Sequence, residues 1–198
     1  MGSSRFPGKM LAAFRGRPMV LAVLTRVAQA RSLSRVVLTT STDARDDALA
    51  AVAAAHGFLV VRGPEEDVLE RLRRAAREHP SDLMVRISGD SPLIRPEVID
   101  LVVSQATAAV DLTTNVHPRT FPRGCSVEVF PPATLDRIAS MSPGPSDREH
   151  VTTLVYRCAD QFTIHGVLNP LGDESHLNLC VDRPEDLVRL EGLAGNPA

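Results

Sequence analysis

Hydrophobic positions change their period along the chain. Short β-branched runs over 35–40, 58–62 and 83–87 read as strands. Segments over 18–30, 43–56, 65–78 and 96–108 carry apolar residues three and four apart and read as helices. Pro96 suits a first helical turn, and Asp43 and Pro64 suit helix starts. Strands alternating with helices predict βαβ units. Beyond residue 108 the pattern changes: 110–114, 126–130, 162–167 and 176–181 read as strands between turn-rich segments such as Ser142-Pro143-Gly144-Pro145. Helices are expected over 132–139, 147–158 and 184–193. The fold class is therefore α/β, a Rossmann-like, mainly parallel sheet with helices on both faces and a mixed, partly antiparallel section in the second half.

The 198 residues suit a single domain with a buried core. A net charge of −2 without a basic stripe argues against nucleic acid as a partner. No apolar run of membrane-spanning length and no secretory leader pattern is present, so a cytoplasmic protein with no membrane partner is expected. Cys125, Cys158 and Cys180 lack the spacing of a zinc or redox motif and read as small buried or half-buried residues. Lys9 is the single lysine among 22 basic residues. A compact ammonium differs from a planar guanidinium, and contact with phosphate inside a tight loop is one place where the difference counts.

Three segments carry candidate chemistry. In Gly2-Ser3-Ser4-Arg5-Phe6-Pro7-Gly8-Lys9, small residues let backbone amides approach phosphate oxygens while Arg5 and Lys9 supply charge. The segment matches neither the Walker A pattern nor the dinucleotide fingerprint; the plain alternative is a Gly/Ser-rich tail. In Arg86-Ile87-Ser88-Gly89-Asp90-Ser91-Pro92-Leu93, a carboxylate follows the C-terminal end of a strand, where open α/β sheets bind ligands. Asp90 there suits a Mg²⁺ ion shared with phosphates, or alternatively a helix cap. Asp182 repeats the arrangement between the 176–181 strand and the Pro184 helix, with an N-cap as its alternative role.

These blocks, in this order, resemble the cytidylyltransferases that make CMP-activated sugar acids, most closely the spore coat polysaccharide biosynthesis branch. Residues 62–69, 121–130 and 148–152 extend the resemblance over nearly the whole chain. It implies transfer of CMP from CTP to a sugar-acid hydroxyl with release of pyrophosphate, Mg²⁺ as cofactor, a role in surface polysaccharide or glycoconjugate precursor synthesis, and a homodimer. By position, Arg5 and Lys9 would neutralise phosphates and Asp90 and Asp182 would hold the metal, with Gly2, Ser3, Ser4 and Arg62 also assigned to the nucleotide. Arg123 and Arg148 offer forked pairing to a sugar carboxylate, and His150 offers a donor. Glu128, flanked by Val127 and Val129, is placed toward the pocket, and Asn115 follows a strand; both join the sugar-binding candidates.

Members of the family begin with a strand ending in Gln-Ala-Arg ahead of the glycine loop, and residues 1–198 contain no such strand. The expectation is a domain lacking its first strand, with an open gap between that strand's neighbours. Two rival readings are a glycosyltransferase using a ready-made nucleotide sugar and a non-catalytic truncated homologue.

Overall fold

The computed structural model describes residues 5–193. The expected phosphate-loop residues Gly2, Ser3 and Ser4 lie outside the described residues.

A single 3₁₀ turn, Lys9–Leu11, leads into a small hairpin, β1 (Ala13–Phe14) and β2 (Arg17–Pro18). Helix α1 (Met19–Val27) starts behind the extended Pro18 and buries seven of its nine residues. A helix apolar on nearly every side belongs inside a protein. There follow β3 (Val37–Ser41), a 3₁₀ turn at Ala44–Asp46, α2 (Asp47–Ala55), β4 (Leu59–Gly63) and α3 (Val68–Glu78). β3 and β4 pair in parallel, from Val37 opposite Leu59 to Ser41 opposite Gly63. Asp67 starts α3, its carboxylate accepting the Glu70 N–H at 2.9 Å.

The second half supplies β5 (Met84–Arg86), α4 (Pro96–Ser104), β6 (Leu112–Thr114), β7 (Glu128–Phe130), α5 (Pro132–Ser140), α6 (Pro145–His150), α7 (Thr153–Arg157), β8 (Ile164–Gly166) and α8 (Pro184–Leu193). Its four strands run in the order β5-β7-β6-β8. β7 is antiparallel to both β5 and β6, and β6 is parallel to β8. Alternation along β7 shows why both faces are covered. Val129 packs with Val23, Val98 and Ile99 of α1 and α4, while its neighbour Phe130 packs with Leu69, Leu72, Leu135 and Ile138 of α3 and α5. The α/β class, the two helical layers and the mixed second half agree with the sequence reading.

Two expected elements differ. Residues 176–181 form no strand: His176 lies in a turn, and the stretch shares one bridge, Asn178 with Arg123, with backbone bonds from Arg123 N–H to Leu177 O at 3.0 Å and from Leu179 N–H to Arg123 O at 2.7 Å. The helix expected over 147–158 breaks at Val151 into α6 and α7. Pro145–His150 contains no core-forming apolar side chain, whereas Val151, Leu154 and Val155 are buried against α3 and α5, so the chain turns inward at Val151.

Among the described residues, β3 has a strand only on its β4 side and β5 only on its β7 side. A cavity of about 1,620 Å³ lies between their open edges. Val20, Val23 and Leu24 of α1 and Leu72 and Ala75 of α3 are among the apolar residues lining it, and its walls extend to Lys9, Arg86, Asp90 and His150. Cys125 is buried and Cys158 and Cys180 are half-buried, as expected. No helix among the described residues is long and apolar enough to cross a membrane.

Candidate active site

The site is assembled from three chain segments that meet at one end of the strands. In the first, Gly8 takes the left-handed conformation, φ 75°, which only glycine enters without a side-chain penalty. The turn is closed by Lys9 N–H to the Phe6 carbonyl at 3.2 Å and Leu11 N–H to the Gly8 carbonyl at 2.9 Å. It directs the Lys9 side chain inward, where 15% of it remains exposed. Lys9 Nζ donates to the Val181 carbonyl at 2.9 Å and lies 3.4 Å from Asp90 Oδ2 and 3.9 Å from Asp182 Oδ1. Arg5 Nη2 reaches the same Asp182 oxygen at 3.3 Å.

The second segment is the turn after β5 that carries Asp90, and the third is the stretch leading to α8. They are joined by the Val181 N–H, which donates to the Asp90 carbonyl at 2.9 Å. The third segment is held further by Gly124, φ 90°, where a Cβ would come within 2.6 Å of the Leu179 carbonyl carbon. Only a glycine admits this approach of two backbones.

At α8 the cap is Asp186, whose Oδ2 accepts the N–H groups of Asp182 and Arg183 at 2.9 and 3.0 Å, while Arg189 holds Oδ1 at 2.9 Å. The Asp182 carboxylate is left to the cations. α4 begins behind Arg95 with no side-chain cap, and the Asp90 carboxylate meets Ser91 Oγ at 3.4 Å and Lys9. Neither aspartate is spent on a helix end.

Two cations and two carboxylates thus balance in charge. The Cys180 thiol beside them is pushed up to about 12, first by burial and then by the charges of Asp90 and Asp182, and so stays protonated. Among the described residues no group of three or more His, Cys, Asp or Glu side chains forms a metal cage. Two partly exposed carboxylates would nevertheless fit a divalent cation that completes its shell with waters.

The other expected site residues are more dispersed. Arg62 donates to the carbonyls of Ser41 and Asp43 at 2.7 and 2.9 Å and pairs with Asp47 at 2.7 Å, so its guanidinium braces the turn after β3. Asn115 is fully buried and bridges Cys125 O and Val127 N–H, both at 2.8 Å. The Arg123 side chain is exposed, away from the Lys9 cluster's bonds. Arg148 pairs with Asp67 at 2.7 Å, tying α6 to the start of α3, and the exposed His150 sits on the cavity wall. Glu128 is 5% exposed, with one oxygen 2.5 Å from Arg86 Nη1 and the other accepting from Tyr156 Oη at 2.7 Å.

Sequence reasoning did not single out Arg86, Tyr156 or Asp186. For Arg86 a signal was present: a charged residue inside an otherwise apolar strand run, on the same face as Met84.

The description "Cytidylyltransferase" belongs to the family that matches residues 1–196. The chain belongs to the cytidylyltransferase family. This cytidylyltransferase family member is 36% identical to a 3-deoxy-manno-octulosonate cytidylyltransferase of Anaeromyxobacter dehalogenans, over 97% of this chain and 93% of the relative. It is 33% identical to the spore coat polysaccharide biosynthesis protein SpsF of Bacillus subtilis, over 52% of this chain and 45% of the relative. Among solved structures, a cytidylyltransferase from Leptospira borgpetersenii superposes with a TM-score of 0.93 at 30% identity, covering all of this chain and 84% of the other. Other relatives are matched over less of their length: the chain spans 66% of a protein of Methanocaldococcus jannaschii and 48% of a second Anaeromyxobacter cytidylyltransferase.

Proposed function

We propose that this cytidylyltransferase transfers CMP from CTP to a hydroxyl of a sugar acid and releases pyrophosphate, in the synthesis of a surface polysaccharide or glycoconjugate precursor. The observation that carries the reading is the convergence of Arg5, Lys9, Asp90 and Asp182 from three distant segments. The names of the Anaeromyxobacter and Bacillus relatives support the sugar acid and the polysaccharide role.

In the free protein the aspartates occupy the cations that a triphosphate would take. On binding, Arg5 and Lys9 transfer to phosphate oxygens, with Lys9 positioned through its bond to the Val181 carbonyl. Asp90 and Asp182 are the residues that would hold Mg²⁺, which would supply neutralisation of the charge on the phosphates. The sugar hydroxyl oxygen forms a bond to the α-phosphorus as the bond to the bridging oxygen breaks, pyrophosphate leaves with the electron pair, and the hydroxyl proton passes to solvent. No covalent enzyme intermediate is required, because alignment and charge stabilisation carry most of the acceleration in such transfers.

The test is pyrophosphate release with each nucleoside triphosphate in turn, with Mg²⁺ and 3-deoxy-manno-octulosonate or related sugar acids. Release that requires both CTP and an acid is expected. Absence of release with every triphosphate and every acid overturns the reading.

A further inference from the structure

Arg86 and Glu128 are cross-strand partners in the β5–β7 ladder, and Arg86 Nη1 lies 2.5 Å from Glu128 Oε2. The Glu128 side chain is 6% exposed, and its other oxygen accepts from Tyr156 Oη. Tyr156 is in turn 3.1 Å from Thr114 Oγ1 and packs against His117 with ring centroids 5.5 Å apart and the planes tilted by 36°. The carboxylate is thereby fixed from two sides. It holds one nitrogen of a guanidinium that has five N–H donors. Among the described residues no partner is found for the other donors of Arg86, whose side chain is 26% exposed on the wall of the cavity that also contains Lys9, Asp90 and His150.

A guanidinium pinned at one nitrogen by a buried carboxylate, with no partner among the described residues for its other donors, is prepared for a planar oxyanion. We propose that Arg86 binds the carboxylate of the acceptor, with Glu128 and Tyr156 as positioning residues behind it. This rests on the sugar-acid reading above. The triphosphate is the other possible source of an oxyanion, but Arg5 and Lys9 already serve it. At about 3.3 Å per residue, the four positions from Arg86 to Asp90 span up to ~13 Å of chain, the scale of a sugar lying beside the reacting phosphate. In this arrangement Glu128 acts on the sugar through Arg86 rather than by touching it.

The experiment compares the wild type with Arg86→Gln, Arg86→Lys and Tyr156→Phe. It reads the KM for CTP, the KM for the sugar acid, the melting temperature, and calorimetric binding of CTP and of 3-deoxy-manno-octulosonate separately. Arg86→Gln should raise the KM and the dissociation constant for the sugar acid about tenfold or more while changing those for CTP less than twofold. Arg86→Lys retains a charge for Glu128 and should recover the melting temperature without recovering sugar-acid affinity, since an ammonium cannot present the fork. Tyr156→Phe should weaken sugar-acid binding by a smaller factor. A weakening confined to CTP would assign Arg86 to the phosphates and overturn the proposal. A loss of melting temperature with sugar-acid affinity unchanged, or recovery of both by Arg86→Lys, would make the pair purely structural. A wild type that releases no pyrophosphate would sink the transfer reading, yet sugar-acid heat present in it and absent in Arg86→Gln would still uphold Arg86. Absence of such heat in the wild type would overturn both.

Discussion

Lys9 Nζ sits 3.4 Å from Asp90 Oδ2 although 81 positions separate the two residues, and its second bond, to the Val181 carbonyl at 2.9 Å, fixes where the ammonium points. A single lysine in an arginine-rich chain is thus placed where a small, directed charge is needed. Lys9→Ala should weaken CTP binding about tenfold or more. Lys9→Arg should recover little of it, because the longer, planar group has no equivalent fit between the carbonyl and the carboxylate. Equilibrium binding of CTP to the two variants checks this; full recovery in Lys9→Arg contradicts it.

Asp90 and Asp182 make ion pairs at partly exposed positions, and such pairs contribute about 0–1 kcal/mol to stability. Asp90→Asn and Asp182→Asn should therefore melt within a few degrees of the wild type while the rate of CMP transfer falls about 100-fold or more. Loss of a helix cap, about 0.5–2 kcal/mol with activity retained, is the opposite outcome and is separated by pairing thermal melts with initial rates.

Asp186 shows how the position of Asp182 is maintained. Its side chain gathers the Asp182 and Arg183 N–H groups and is itself held by Arg189. Asp186→Ala should cost about 1 kcal/mol through loss of the α8 cap. It should also reduce CMP transfer, although residue 186 is assigned no contact with either substrate. Urea titration and steady-state kinetics together check the coupling; a stability loss with unchanged turnover would show that the Asp182 loop keeps its place without the cap.

Much of the fold could be read from period and punctuation. The alternation of β-branched runs with helical spacing marks β3, α2, β4, α3 and β5, and the first-turn prolines mark α4, α5 and α8. The 176–181 segment reads as a strand but pairs with loops instead, because a strand pattern does not reveal whether a neighbour is a strand or a loop. Of the site, Arg5, Lys9, Asp90 and Asp182 could be singled out because each stands in a turn at an element's end. Asn115 and Arg62 were assigned to the site from sequence, and their bonds to backbone groups appear only in three dimensions. The Arg86–Glu128 pair depends on the β5–β7 register, which no local pattern specifies.

Asp46 gives a pH signature. It is 3% exposed, and one of its oxygens accepts from Thr40 Oγ1, Ser41 Oγ and the Ser41 N–H. Burial opposes its ionisation, but the hydrogen bonds, those of Ser41 and Thr40 among them, outweigh it and hold the carboxyl well below the usual range. A depressed folded-state value means stability that is present above the unfolded-state value of about 3.9 and is lost as pH falls through the folded-state value. Asp46→Asn should be about 1.5–3 kcal/mol less stable at pH 7, with the difference shrinking as pH falls below about 4. Chemical denaturation of both proteins across that range checks it; a difference independent of pH contradicts it.

The most direct test of the account is whether Asp90 and Asp182 form a metal–triphosphate site. CTP binding is measured by calorimetry with Mg²⁺ and with excess chelator, for the wild type and for the Asp90→Asn/Asp182→Asn double variant. Mg²⁺ should strengthen CTP binding about tenfold or more in the wild type and have little effect in the double variant. CTP binding that is equally tight in chelator, or an undiminished Mg²⁺ effect in the double variant, would contradict it.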